Sequence, residues 1–370
     1  MSQLYNLKPA EKAVYDLRAL YSTHGYLHYK VSKFEEYDLY MRNKSFLADE
    51  NILTFTDTDG RLMALKPDIT LSIIKNSKES DEGLKKVYYN ENVYRTEDGS
   101  GFKEIMQTGL ECIGDVDTYA VCEVLTLAYR SLACLGGEFL LDLSHMGFVS
   151  GLMDEMNADE ETAAKILTAV GEKNTDAIRS VCGEANIDQK LIDCLCSTAM
   201  IYGKADECLA EMGQLALNDR MKNAVAELTE LVEVLKACDA YDNLRLDFSV
   251  VNDMNYYNGI IFQGFIESVP HSVLSGGRYD NLVEKMGKHK GAIGFAVYLD
   301  GLERMAAEKQ FDVDVLLNYS ADTPLSIVMN KVNELINEGN SVKAQQGSDT
   351  GLKYRMLICM DEEGKCVCAR

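Results

Sequence analysis

Proline is scarce in this chain, with 4 residues in 370, at positions 9, 67, 270 and 324. No Pro/Gly/Ser-rich linker, internal repeat or low-complexity tract appears, so domain limits must be read from changes of pattern. Positive charge is short as well. Lys and Arg total 37 against 59 Asp and Glu, a formal charge of −22. Nucleic-acid binding draws on clustered cations that neutralise phosphates and release counterions, so this balance argues against nucleic acid as the main partner. No apolar run approaches the ~20 residues of a membrane span. The opening MSQLYNLKPAEKAVYDL lacks a basic stretch followed by an apolar one, so no signal peptide is expected. Neither G-x-G-x-x-G, a Walker sequence nor a G-x-S-x-G elbow is present. His24 and His28 are four apart but have no glutamate in the metalloprotease position, and no metal site is expected.

What is present points to a globular protein. A length of 370 residues suggests two or three domains, and 46% apolar content supports a sizeable core. The 11 cysteines fall at irregular spacings and read as reduced, mostly buried thiols of a cytoplasmic protein. Cys194/Cys196 and Cys366/Cys368 form C-x-C pairs without the second pair or histidine of a zinc site.

Along the chain the pattern changes four times. Residues 9–28 read as a helix: Pro9 suits its first turn, Val14, Leu17, Leu20 and Tyr21 recur at helical spacing, and Gly25 ends it. From about 50 to 115, short strands separated by Asp59-Gly60 and by glycines at 98–101 predict antiparallel sheet. Residues 117–135 are helical again. Residues 151–240 are rich in Ala, Glu, Leu and Lys, with Val225, Leu228, Leu231, Val232 and Leu235 on one helical face, and read as a helical insertion. Strands return at 244–267, then the Gly-rich turn GGRYDNL, then a strand-to-helix unit at 292–309. Residues 311–370 read as a small α/β module of order βαββ. The sheets before and after the insertion are expected to form one antiparallel core, an α+β fold, from residues 1–150 and 241–310.

Polar residues interrupt the strand patterns between 66 and 111: Lys66, Asp68, Thr70, Arg95, Gln107 and Glu111. Gln107 and Glu111 are an even number of positions apart, so a strand puts them on one face. Carboxylates with amide and hydroxyl groups on a sheet face suit a ligand rich in N–H donors, such as an ammonium or imidazole. A solvated outer face of charged residues gives the same pattern and is the commoner case. In Asn255-Tyr256-Tyr257-Asn258-Gly259 the adjacent tyrosines would point to opposite faces of a strand, one to the core and one to a pocket, or they are simply amphipathic strand residues. The paired glycines of Ser275-Gly276-Gly277-Arg278-Tyr279-Asp280 allow close backbone approach or form an ordinary turn.

In order, these segments resemble the catalytic core of histidyl-tRNA synthetase, a class II synthetase. LKPDIT (65–70) is similar to that family's LRPEGT, VYRTE (93–97) to its motif 2, and QTGLECIG (107–114) to HQxGxExxG. VVNDMNYYNG (250–259) stands where LVRGLDYYN is expected, SGGRYDNL (275–282) matches GGRYDGL, and AIGFAVYLDGL (292–302) resembles motif 3. The resemblance covers about residues 5–310. It implies that Asp68, Thr70 and Gln107 hold the ammonium of histidine, that Glu111 and Tyr257 read its imidazole, and that Arg95 faces its carboxylate, with Tyr256 and Tyr279 in the same pocket. Asp68, in place of glutamate, is shorter by one methylene.

The departures lie in the activation groups. Asn252 stands where the synthetases have an arginine, Gly301 falls at the motif 3 arginine, and Tyr298 replaces a motif 3 glycine. The motif 2 loop, DGSGFKE, carries only Lys103, and Arg304 lies one helical turn past the motif 3 site. Adenylation needs cations where charge develops, and losing one such group costs ~100–1,000-fold. A ligand pocket without activation groups resembles the regulatory subunits of ATP phosphoribosyltransferase. That resemblance implies a non-catalytic chain without cofactor. It would join a short-form catalytic subunit in a hetero-octamer, pair as a homodimer through motif 1, and convey histidine feedback in the first step of histidine biosynthesis. The tail would be a degenerate remnant of the anticodon module. The alternatives are a working, divergent histidyl-tRNA synthetase and a stand-alone histidine sensor or modifying enzyme on the same core.

Overall fold

The computed structural model describes residues 7–47, 51–77, 83–97, 101–250, 256–302, 311–347 and 351–369. The chain divides into two compact units, Met1–Met305 and Ala306–Arg370. Among the described residues no helix is long and apolar enough to cross a membrane.

The first unit is built on a nine-stranded sheet. From one edge its strands are Leu27–His28, Lys85–Glu97, Gly101–Gly114, Gly291–Tyr298, Leu274–Arg278, Ile260–Ile266, Phe139–His145, Leu244–Asp247 and Tyr202–Gly203. Neighbours are antiparallel except Leu27–His28 with Lys85–Glu97 and Phe139–His145 with Leu244–Asp247. The strands before and after the insertion therefore do join in one sheet. The central hairpin turns at Gly101, whose φ of +82° suits a residue without a Cβ.

Helices cover one face of this sheet. Pro9–Thr23 and Thr118–Leu135 pack together and are tied by a hydrogen bond of 3.0 Å between the Tyr21 and Ser131 hydroxyls. The first helix is shorter than the 9–28 read from sequence, and Gly25, at φ +80°, lies just beyond its end. Asp117 caps the second helix by accepting from the Ala120 N–H at 2.9 Å. From Gln107 to Gly114 every residue of the central strand is buried, since its second face is also covered.

Residues 54–65 depart from expectation. Thr54–Thr56 and Leu62–Leu65 do not enter the large sheet. They pair with Phe34–Glu36 in a separate three-stranded sheet. The strand Leu62–Leu65 stops two residues short of Pro67, which has no N–H for a ladder.

Composition marks off residues 151–240, but packing does not. The helices Met146–Met156, Glu160–Gly171, Thr175–Glu184, Gln189–Met200, Ala205–Leu215 and Asp219–Ala237 share one apolar core with the sheet and its two covering helices. Position 151 falls inside the first of them. In Asp219–Ala237 the buried face is Met221, Ala224, Leu228, Leu231, Val232 and Leu235, with Val225 only half-buried.

The second unit has a four-stranded sheet of order Val342–Gln345, Val313–Tyr319, Tyr354–Met360, Cys366–Ala369, with the helix Leu325–Asn337. Val315, Leu317, Val328, Leu335, Ile358 and Met360 form its core. The fourth strand was not expected. It holds Cys366 and Cys368 and pairs antiparallel with Tyr354–Met360.

Candidate functional site

The centre of the large sheet, on the face away from the two covering helices, is the floor of a cavity of about 440 Å³, within the ~300–1,000 Å³ usual for small-molecule sites. All eight expected residues line it: Asp68, Thr70, Arg95, Gln107, Glu111, Tyr256, Tyr257 and Tyr279.

Glu111 lies at its deep end, 2% exposed, on the strand Gly101–Gly114. The Thr70 hydroxyl donates to its Oε1 at 2.8 Å, and the Tyr279 hydroxyl donates to Oε2. The residue opposite Glu111 in the ladder is Gly294. A Cβ there would collide with Glu111 Oε2, so only glycine lets the carboxyl occupy this place. Burial pushes the Glu111 carboxyl up to about 8, against the two donated hydrogen bonds that favour its charge.

Asp68 sits in the loop between the small sheet and the short helix Thr70–Lys75. Its Oδ1 accepts from the Leu71 N–H at 2.8 Å, which holds the first turn in place. Burial raises its pKa, and the Leu71 N–H and the charge of Arg95 only partly offset that. Arg95 donates from Nε to the Pro67 carbonyl at 3.1 Å, tying this loop to the strand Lys85–Glu97. At the start of the loop, Lys66 is 1% exposed and pairs with Glu91 Oε2 at 2.8 Å. Gln107, on the same strand face as Glu111, is 3% exposed, and its Nε2 has no partner among the described residues. A buried N–H of this kind costs ~1–3 kcal/mol until an acceptor reaches it.

The two tyrosines correct the strand-parity expectation. Tyr256 and Tyr257 precede the strand, which opens at Ile260, and occupy a turn. Alternation applies only to extended chain, so both rings face the cavity, with centroids 4.5 Å apart. Gly277 is required beneath them, since a Cβ there would lie 2.6 Å from the Tyr257 ring. The paired glycines thus serve close approach rather than a turn: both lie inside the strand Leu274–Arg278. Thr70, assigned by resemblance to the ligand's ammonium group, already has its hydroxyl proton committed to Glu111.

Sequence reasoning missed Phe46, Tyr89, Gln263 and Ser275 as lining residues, and Gly294 as the partner of Glu111. Gln263 left a signal, as a lone amide in the apolar strand IIFQGFI. Of the activation positions, Lys103 pairs with Asp300 at 3.2 Å, and Tyr298 lines the cavity. Asn252 and Arg304 lie outside the described residues.

The family model for histidyl-tRNA synthetase matches residues 5–302. A solved ATP phosphoribosyltransferase regulatory subunit/histidyl-tRNA synthetase from Bacillus halodurans C superposes with a TM-score of 0.77 at 24% identity, covering 95% of this chain and 94% of that one. The histidyl-tRNA synthetase of Nostoc sp. PCC 7120 gives 0.71 at 15% identity, over 100% of this chain and 96% of that one. The fold is therefore that of the histidyl-tRNA synthetase-like, class II proteins. The ATP phosphoribosyltransferase regulatory subunit of Clostridium kluyveri is 31% identical over 294 residues, 77% of this chain and 75% of its own length. That of Acetivibrio thermocellus is 29% identical, over 80% and 71%. The chain belongs to the family of ATP phosphoribosyltransferase regulatory subunits.

Proposed function

We propose that this chain is the histidine-sensing regulatory subunit of an ATP phosphoribosyltransferase. It activates a short catalytic subunit in the first step of histidine biosynthesis and conveys feedback by histidine. The carrying observation is the cavity, which gathers Asp68, Thr70, Arg95, Gln107, Glu111, Tyr256, Tyr257 and Tyr279 around buried polar groups, with Arg95 the one cation among the described lining residues. Glu111, held between Thr70 and Tyr279, takes the imidazole, Asp68 takes the ammonium, and Arg95 with the unpartnered Gln107 Nε2 takes the carboxylate. The last role departs from the resemblance, which gave Gln107 to the ammonium.

The chain performs no chemistry alone. The one cation of the motif 2 loop, Lys103, is engaged by Asp300. ATP and the phosphoribosyl donor are handled by the catalytic partner. A solved ATP phosphoribosyl transferase complex from Thermotoga maritima contains a chain of this fold, with a TM-score of 0.63 at 19% identity, over 79% of this chain and 98% of that one. In this reading the chain works in the cytoplasm as a homodimer within a hetero-octamer, without nucleic acid. Residues 1–150 and 241–310 supply the core, 151–240 the insertion, and 311–370 a remnant module.

The test is co-purification with the short catalytic subunit from the same genome, followed by assay with and without histidine. Activity that depends on this chain and falls with histidine is the expected result. Histidine-dependent ATP–pyrophosphate exchange by the isolated chain would instead mark a working synthetase.

A further inference from the structure

The cavity floor is ruled by the ladder into three ranks. At the first, Glu111 faces Gly294, and Gly294 faces Gly277 on the next strand. At the second, Gly109 faces Ala296, and Ala296 faces Ser275. At the third, Gln107 faces Tyr298. The first and third ranks are four strand residues apart, ~13 Å. Glu111 excepted, the first two ranks hold only small side chains on these three strands, with Tyr89 flanking the second rank on the strand Lys85–Glu97, and several are small by necessity. A Cβ at Gly109 would strike the Phe295 carbonyl and the Tyr89 ring, and one at Gly277 would strike Tyr257. Tyr298 is the first ring on the cavity face of the strand Gly291–Tyr298 and lines the cavity at the end where Gln107 presents its unpartnered amide. It stands where the motif 3 resemblance has glycine. Two residues further on, Asp300 pairs with Lys103 at 3.2 Å.

We propose that Tyr298 is the length-determining residue of this site. Its ring ends the cavity at the ligand's carboxylate, so the site accepts a free imidazole amino acid and rejects one extended through the carboxyl group. This rests on the reading of the cavity as a histidine site and adds to it what sets the upper size of the ligand. It also gives a steric reason, separate from lost cations, why an amidated or adenylated amino acid does not fit.

The probes are L-histidine and L-histidine β-naphthylamide, titrated calorimetrically into the full chain as wild type, Tyr298→Gly and Tyr298→Ala. The alanine variant guards against a glycine that weakens the strand, and thermal melting reports folding of each. Wild type should bind histidine and bind the naphthylamide at least tenfold more weakly. Either variant should gain tenfold or more in naphthylamide affinity. Naphthylamide binding to wild type as tight as histidine binding overturns the proposal. So does a folded, histidine-binding variant with no gain. If wild type binds no histidine at all, the histidine reading itself falls, and this proposal with it.

Discussion

The single most informative side chain is Glu111. Its carboxyl is out of water and held between two hydroxyl donors, so both of its protonation states are costly to replace. A neutral Glu111 carboxyl can pass its proton to a bound imidazole and so form a carboxylate–imidazolium pair; Glu111→Gln keeps the shape but leaves only a neutral hydrogen bond, a loss of ~1–2 kcal/mol. That corresponds to histidine binding weaker by about 5–30-fold in calorimetry, and unchanged binding would remove Glu111 from the site. The same residue sets a pH dependence. Its pKa is about 8 in the folded chain against an ordinary 4.5. Between these values the folded state keeps a proton that the unfolded state has lost. Stability of the unliganded chain must therefore decline as pH rises through this window and level off above about 8. Asp68, also raised, adds in the same direction. Thermal melts from pH 5 to 9 should show wild type losing ground to Glu111→Gln up to about pH 8 and no further above it. A constant gap between the two would mean that the carboxyl is not held neutral.

Elements explain why some of this was legible in the sequence and some was not. Gln107 and Glu111 were legible because strand alternation is local and both lie well inside one long strand. Tyr256 and Tyr257 were misread because the same rule was applied to a turn, and nothing in the tyrosine pair itself reveals where extension begins. Gly294 was invisible as a functional position, because its role exists only through the register that sets it against Glu111. Lys66 is a similar case. Its polar head reads as a strand interruption, yet the fold buries it within the loop that carries Asp68 and pairs it with Glu91, whose other oxygen accepts from the Val31 N–H at 3.2 Å. Breaking such a pair leaves a buried charge uncompensated, typically at ~3–5 kcal/mol. Lys66→Met should lower the melting temperature sharply and weaken histidine binding by loosening the loop. Lys66→Met with Glu91→Met should recover much of the stability. A double variant no better than the single one would show that the pair is not what holds the loop.

At the scale of the whole molecule, motif order carried the fold from sequence to family, because six short segments in sequence lie on strands, loops and a helix that converge on one cavity. The helical insertion was legible as composition but not as packing, since only tertiary contacts show its core running into that of the sheet. Feedback belongs to this scale too, because a cavity that binds histidine equally in two states of a complex regulates nothing. Inhibition requires histidine to prefer the inhibited arrangement, and inhibition through substrate binding requires in addition that ATP on the catalytic partner prefer the active one. Linkage then makes the effect reciprocal: the factor by which saturating histidine raises the Kd for ATP must equal the factor by which saturating ATP raises the Kd for histidine. Couplings of this kind usually amount to ~5–150-fold. The two titrations, run on the assembled complex at one pH and salt concentration, should give the same number. Histidine that inhibits turnover while leaving ATP affinity untouched, with ATP equally silent toward histidine, would place the control on the catalytic step instead of on substrate binding.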